Sequence, residues 1–203
     1  MSRAPAGRSG GEALYVTLSV PDPVALTALA ALRSLAGPAP AWLERGRVWL
    51  HTGGGAVFEA PAGVWLNPNK ERGVRWTGGA NPWTADAAGG GEAWVLVRER
   101  GACPEAGAAR ALAERGERPP AGLTCATLWR LGPPADPAAR GAGGGGAADR
   151  VALAEAAAVV RSAHRGLLVN PHSQAHLSLA PPATLAELAS RLDSLAREAQ
   201  AGG

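Results

Sequence analysis

Two short segments of this chain share their composition and their surroundings. Leu66-Asn67-Pro68-Asn69 and Val169-Asn170-Pro171-His172 each follow an apolar run and precede a short stretch with the residue pattern of a strand. A residue before proline is pushed out of helical geometry, so an Asn-Pro pair is a natural exit from an apolar element into a strand. Because a strand, a helix and a further strand stand ahead of each segment, the order of elements predicts a tandem duplication.

The first predicted repeat covers residues 13–77. Apolar and polar residues alternate over 14–20, as they do in a half-buried strand. Asp22 is a favourable N-cap and Pro23 suits the first helical position, so we expect a helix to begin there. A second strand is expected at 42–51.

The rest of this repeat is irregular. Arg45-Gly46-Arg47 predicts a kink or bulge within the second strand. A second helix would be expected between Gly53 and Gly63, but this segment is short and contains Pro61. We therefore expect a turn there in place of a helix.

The second predicted repeat covers residues 92–182 and follows a linker at 78–91 that is rich in Gly and Ala. A helix is expected to begin at Pro104 and another to be capped by Asp149. The expected elements are a strand at 93–98, a helix at 104–116, a strand at 123–131, a helix at 149–167 and a strand at 175–180. Residues 132–148, which include four consecutive glycines, are expected to form a flexible insertion.

Residues 183–203 are expected to form a C-terminal helix. Thr184 and Glu187 have the spacing of a capping box. The apolar positions form one helical stripe of Leu185, Leu188, Leu192, Leu195 and Ala199. This stripe covers the sheet of its own chain or pairs with another chain. With a disordered segment at 1–12, the prediction is an α+β fold of two β-α-β-(α)-β repeats, with antiparallel sheets and helices packed on one face.

The composition argues against nucleic-acid and membrane partners. The net charge is +3 and the pI is about 9.5, but Lys70 is the single lysine and the arginines are scattered among acidic residues without a basic stripe. No apolar stretch approaches the roughly 20 residues of a membrane span, and residues 1–11 lack the apolar core of a signal peptide. We therefore expect a cytoplasmic protein.

The chain shows no residue set with the spacing of a metal site or a catalytic site. Cys103 and Cys125 are too few and too far apart for a metal knuckle, and two buried thiols are expected. His172 and His176 lead into a strand, where residues four apart are separated by about 13 Å, so zinc binding is not expected. No cofactor and no metal are expected.

The order of these short motifs resembles the PurS family, the small subunit of phosphoribosylformylglycinamidine synthase in purine biosynthesis. The first repeat matches the family's Asp-Pro turn, Ala-Leu helix, Arg-Gly strand and Asn-Pro exit at 22–23, 28–32, 43–50 and 65–68, and the second repeat matches at 109–112 and 167–171. The family has lysine where this chain has Arg47. Because family members are usually single repeats that dimerise, the resemblance implies a fused pseudo-dimer.

The resemblance further implies a subunit without catalytic residues of its own. It would bridge a PurQ-like glutaminase and a PurL-like synthetase, so that glutamine-derived ammonia converts formylglycinamide ribonucleotide into the amidine with ATP. The residues leave open a different function, that of a duplicated βαβ module that binds a small metabolite between its repeats and has no enzyme partner. Self-association through the repeats or the C-terminal helix is compatible with both functions.

Four residues are candidates for binding a partner. Arg45 and Arg47 flank a glycine in the second strand and present guanidinium groups that suit a carboxylate on a partner. The alternative is a solvated edge strand whose arginines discourage aggregation. Asn67 and Asn170 carry amides that suit a partner or ligand, but an Asn at such a position commonly satisfies the backbone of its own turn.

Overall fold

The computed structural model describes residues 11–35, 39–53, 55–59, 63–84, 91–101, 103–134, 136, 146–159 and 167–201. These residues have an α+β fold, in which one antiparallel sheet is combined with four α-helices. The strands are β1 (Glu12–Leu18), β2 (Leu43–His51), β3 (Glu71–Trp76), β4 (Ala93–Glu99), β5 (Leu123–Leu131) and β6 (Gln174–Leu179). The helices are α1 (Pro23–Ser34), α2 (Pro104–Ala113), α3 (Ala147–Ala158) and α4 (Leu185–Ala201).

Local signals explain how the first half begins. The Asp22 side chain accepts the N–H of Val24 at 2.9 Å and caps α1, and Pro23 occupies the first turn, where its missing N–H costs nothing. In place of a second helix the chain forms a short 3-10 turn at Val57–Glu59, in agreement with the prediction.

The six strands form one continuous sheet in the order β3-β1-β2-β5-β4-β6, and every pairing is antiparallel. β2 and β5 pair along their whole lengths at the centre, from Leu43–Leu131 to His51–Leu123. Outward from this pair, the order β2, β1, β3 on one side matches the order β5, β4, β6 on the other. The two predicted repeats therefore share a single sheet.

The predicted bulge at Gly46 is wrong. The ladder between β2 and β5 runs without interruption through the pair Gly46–Leu128. The glycine is explained by a close approach of β1, because a Cβ at this position would lie 2.4 Å from the Tyr15 ring and 2.5 Å from the carbonyl oxygen of Val16.

The sheet is covered on both faces. Alternate residues of β4 and β5, such as Val95 and Trp129, pack with α1, α2 and α3 on one face. The intervening residues, such as Leu96 and Leu128, pack with α4 on the other face. The core consequently lies in two layers, one above and one below the sheet.

The first helix of each half packs on a strand of its own half, α1 on β2 and α2 on β5, and also shares an apolar cluster with residues of the other half. Ala25 and Leu32 of α1 lie in the apolar cluster formed by β4, β5 and α3. Ala108 and Leu112 of α2 lie in the cluster formed by β1, β2 and the 3-10 turn, which includes Trp65. The apolar clusters of the two halves are therefore continuous across the central β2–β5 pair.

The predicted linker at 78–91 contributes to the core where the structure describes it. Trp83 is buried, and its ring lies 5.4 Å from that of Trp76 and 6.1 Å from that of Trp94. In the predicted insertion at 132–148, the N–H of Gly132 donates to the carbonyl of Trp42 at 2.9 Å, which extends the central pairing. Residues 85–90, 135 and 137–145 lie outside the described residues.

The last two helices compare differently with their predictions. For α3 the predicted cap is wrong: Gly146 is the N-cap, and the Asp149 side chain accepts its N–H from inside the first turn. The described part of α3 ends at Ala158, and residues 160–166 lie outside the described residues. The predicted stripe of α4 is confirmed as core, since Leu188, Leu192, Leu195 and Ala199 are buried against the sheet.

Candidate binding cleft

The sheet opens between β1 and β2. Their ladder ends at the pair Val16–Arg47, although β1 continues to pair with β3 as far as Leu18–Glu71 and β2 pairs with β5 along its whole length. The two strand ends therefore diverge, and a cleft forms between them beside the start of α1. This β1–β2 cleft contains two adjoining cavities of about 330 and 540 Å³.

Three arginine–carboxylate pairs line the cleft. Arg45 Nε lies 2.8 Å from Asp22 Oδ2, Arg47 Nη2 lies 2.8 Å from Glu71 Oε1, and Arg72 Nη2 lies 3.7 Å from Glu44 Oε1. In each pair the arginine side chain is the more exposed partner, at 35% against 10%, 46% against 19% and 68% against 30%. The cleft therefore presents guanidinium groups to solvent, although its formal charges cancel.

An apolar rim stands beside these charges. Val20, Val24 and Leu26 are 66%, 45% and 56% exposed, and Val20 and Leu26 line the larger cavity. Exposed aliphatic side chains that cluster beside a concave surface are typical of an interaction site. The combination of an apolar rim with solvent-facing guanidinium groups suits an amphipathic ligand.

A buried polar network supports the floor of the cleft from the α4 side. The Arg130 guanidinium donates to Glu92 Oε1 and to Glu44 Oε2, each at 2.6 Å, and it lies 5.6 Å from the rings of Tyr15 and Trp42. Burial and the Glu44 charge raise the pKa of Tyr15. Burial alone would lower the pKa of Arg130, but its bonds to Glu92 and the charges of Glu92 and Glu44 outweigh burial and raise it. The bond from Arg130 thus holds the Glu44 carboxylate in place, and its other oxygen forms the ion pair with Arg72.

Arg45 and Arg47 do not lie on an edge strand, because β2 is central, so the reading of an aggregation-resistant edge is wrong. The structure brings both into the cleft, where each pairs with a carboxylate of its own chain. These pairs are partly exposed and water screens them, so a partner carboxylate can compete for the outward N–H groups.

Asn67 and Asn170 make identical local bonds. The side-chain oxygen of each accepts the N–H two residues on, at 3.1 Å, and the N–H of each donates to the side chain four residues on. Those side chains are Glu71 and Gln174. Both asparagines therefore organise the turns that lead into β3 and β6, and the structure does not bring them together.

Possible metal ligands and the two thiols are the remaining candidates for chemistry. Within the part of the chain that the structure describes, no group of three His, Cys, Asp or Glu residues is placed to hold a metal ion. Cys103 is an exposed free thiol, so the expectation that both thiols are buried is wrong for it, while Cys125 is buried. Burial, followed by the nearby Glu105 charge, raises the pKa of Cys125 to about 12 and keeps it protonated.

The sequence did not identify four residues of the cleft as candidate site residues: Asp22, Glu44, Glu71 and Arg72. It predicted Asp22 only as a helix cap. Asp22 both caps α1 and binds Arg45. The signal for the others lies in strand register, because Thr17 faces Arg72 and Leu18 faces Glu71 across the β1–β3 ladder. Register between strands so far apart in sequence cannot be derived from composition or periodicity.

Comparison with models of known families, with curated proteins and with solved structures finds no match to this chain. Among the described residues, no helix has both the length and the apolar character needed to cross a lipid bilayer.

Proposed function

We propose that this chain is a PurS-like, non-catalytic subunit that bridges a PurQ-like glutaminase and a PurL-like synthetase in phosphoribosylformylglycinamidine synthase. The observation that carries the proposal is the matching construction of the two halves around the central β2–β5 pair. This construction is what the motif resemblance implies for two PurS-like repeats in one chain. A duplicated origin of the halves belongs to the same proposal.

The match between the halves extends to single hydrogen bonds. Besides the two asparagine turns, the N–H of Ser19 donates to the carbonyl of Lys70, and the N–H of Arg100 donates to the carbonyl of Ser173. Each bond joins the residue after β1 or β4 to the residue before β3 or β6. Such agreement outside the apolar core supports a common ancestor for the halves, because packing alone does not demand it.

A bridging role requires a rigid body with separated docking surfaces. The shared sheet and the apolar clusters that contain residues of both halves make the two halves one unit. β3 and β6 form opposite edges of the sheet, so a partner at each edge would be held at a fixed separation. The α4 stripe is used inside the chain, which leaves the sheet edges and the cleft for partners.

The deciding experiment measures amidine formation by the glutaminase and synthetase of the same organism, with and without this chain. The proposal predicts that glutamine-driven turnover needs the chain, whereas ammonia-driven turnover does not. A Leu188→Asp variant, which places a charge in the buried α4 interface, serves as a misfolded control and should not restore glutamine-driven turnover. If the chain changes neither rate and does not co-elute with the enzymes, the bridging function is refuted.

A small-molecule-binding module is the second candidate. The β1–β2 cleft favours it, since its smaller cavity of about 330 Å³ is also lined by Thr127 of β5 and therefore touches both halves. Saturable binding of a carboxylated metabolite that raises the melting temperature, in a chain that binds neither enzyme, would select this function over the first.

A further inference from the structure

The second half contains a counterpart of the β1–β2 cleft. The β4–β5 ladder ends at Val97–Thr127, just as the β1–β2 ladder ends at Val16–Arg47. The residue that follows the end of the ladder is Thr17 in β1, and its counterpart in β4 is Arg98. The helices that follow both begin with proline, and their next residues are Val24 in α1 and Glu105 in α2.

The counterpart cleft is closed by an internal ion pair. Arg98 Nη1 lies 2.6 Å from Glu105 Oε1 and donates to the carbonyl of Cys125 at 2.9 Å. Glu105 Oε1 also accepts the N–H of Cys125 at 2.6 Å. The exposed fractions of the two charged side chains are only 8% and 13%. In this half, a carboxylate thus occupies the space between the diverging strands and meets both a guanidinium and a backbone N–H.

The first half lacks these two side chains. Thr17 is too short to cross the cleft, and Val24 carries no charge and is exposed. Arg45 is the counterpart of Cys125, because each lies two residues before the last paired residue of its strand, Arg47 or Thr127. The backbone N–H of Arg45 therefore points into the β1–β2 cleft, as the N–H of Cys125 points to Glu105 in the second half. Asp22 bonds to the side chain of Arg45 and to the N–H of Val24. The cleft therefore stays open, with guanidinium groups around it.

We propose that the β1–β2 cleft docks a segment of a partner protein that carries a carboxylate side chain next to aliphatic side chains. The carboxylate would take the place that Glu105 fills in the second half and face Arg45, which lines both cavities, with Arg47 beside the smaller cavity and Arg72 beside the larger. The aliphatic neighbours would cover Val20 and Leu26. The solvent-facing guanidinium groups favour an acidic segment over a basic one, and the apolar rim favours a peptide over a small inorganic anion.

This inference deepens the proposed function, on which its biological meaning rests, by naming a docking surface. The measurement contains no purine enzyme. A chain that binds the acidic peptide but fails the amidine assay would refute the bridging function and leave the cleft assignment intact. A chain that passes the amidine assay but binds no peptide would refute the cleft assignment alone.

The test is fluorescence anisotropy of the full chain with a labelled peptide that has a Leu-Glu-Leu-Glu core between Gly-Ser flanks. Two companion peptides replace Glu by Gln or Leu by Ser. The proposal predicts saturable binding of the first peptide and at least about tenfold weaker binding of the other two, a loss of about 1.4 kcal/mol. Added salt should weaken the first peptide most, because the contact is made by charges near the surface.

The variants are chosen so that folding is spared. Arg72→Glu and Val20→Ser change exposed side chains and should each weaken the Leu-Glu peptide about tenfold, which corresponds to about 1.4 kcal/mol. Arg191→Glu makes the same charge change on an exposed position of α4 and should leave binding within about twofold. Thermal melts by circular dichroism confirm that all three variants are folded.

Three results would each overturn the assignment. The first is no binding of the Leu-Glu peptide up to about 1 mM, where the binding free energy is about −4 kcal/mol. The second is binding that does not depend on charge in the cleft, shown either by equal affinity for the Gln and Glu peptides or by an equal loss of affinity in Arg191→Glu and Arg72→Glu. The third is displacement of the peptide by inorganic phosphate at equal concentration, which would define a small-anion site.

Discussion

Replacement of Trp83 by alanine tests whether the segment between the two halves belongs to the core. Trp83 stands in the segment that its composition marks as a linker, yet its ring contacts those of Tyr15, Trp76 and Trp94 at 5.4 to 6.1 Å. Its Nε1–H also donates to the carbonyl of Val74 at 2.9 Å. The side chain therefore joins β1, β3 and β4 on the face covered by α4.

The expected cost is a large part of the total stability. Truncation of a buried Trp to Ala costs about 3–5 kcal/mol in total, and the loss of three aromatic pairs places this site toward the upper end of that range. The unpaired carbonyl of Val74 lies at a sheet edge, where water can replace the lost bond, so it adds little. Since single domains are stable by about 5–15 kcal/mol, Trp83→Ala should lose at least about 3 kcal/mol and approach unfolding at room temperature.

The assay is urea denaturation followed by far-UV circular dichroism, because the other six tryptophans would complicate fluorescence. Trp83→Phe is the matched control: it keeps an aromatic ring, loses the bond to Val74 and should cost about half as much as alanine or less. The wild type should unfold in one transition, because the two halves share one sheet and the apolar clusters beneath α1 and α2 contain residues of both halves. A cost for Trp83→Ala below about 1 kcal/mol, or two separate transitions in the wild type, would show that the halves are tethered domains.

Two further predictions concern β2 and the thiols. Gly46→Ala should lower the free energy of unfolding by at least about 1 kcal/mol, because its Cβ would lie 2.4 Å from the Tyr15 ring. Gly107→Ala, at an open position in α2, is the control and should raise the free energy of unfolding by up to about 1 kcal/mol. Urea midpoints of the two variants that move in the same direction would contradict this prediction. Burial raises the pKa of Cys125 from 9.0 to about 12, so the folded state keeps the proton longer than the unfolded state does. Its contribution to stability is then complete below pH 9 and falls by about 1.4 kcal/mol per pH unit as the pH rises toward the folded pKa. Cys125→Ala should flatten the decline in urea midpoint over this range and Cys103→Ala should not; equal slopes in both variants would show that Cys125 does not titrate differently in the folded state.

The sequence predicts the elements well where the signal is local. Strand β5 begins and ends where the sequence predicts a strand, at 123–131, and α1 begins where Asp22 and Pro23 require. The stripe of α4 is buried as its spacing demands. Each of these signals is complete within one element, because alternation, caps and helical periodicity depend on neighbouring residues.

The sequence does not predict the features that depend on how elements meet. Trp83 lies among residues of linker composition, and only the sheet order shows that three strands enclose it. The charges of Arg72 and Glu44 carry no sequence pattern, and they meet because β1 leaves β2 after Val16. The prediction of a kink at Gly46 was wrong for the same reason, because this position requires glycine to make room for the neighbouring strand β1 and not to form a turn.

The two halves also differ where their shared architecture leaves a space between strand ends. The β1–β2 and β4–β5 ladders end at the same position, after Val16–Arg47 and Val97–Thr127, so each half has a space between two strand ends. In the second half Arg98 and Glu105 fill that space and bond to both backbone groups of Cys125. In the first half, each arginine of the three ion pairs is more exposed than its carboxylate partner, and the apolar rim of Val20, Val24 and Leu26 stands beside them. Since an open cleft forgoes the bonds that the closed one makes, its retention is most economically explained by an occupant that arrives from outside the chain.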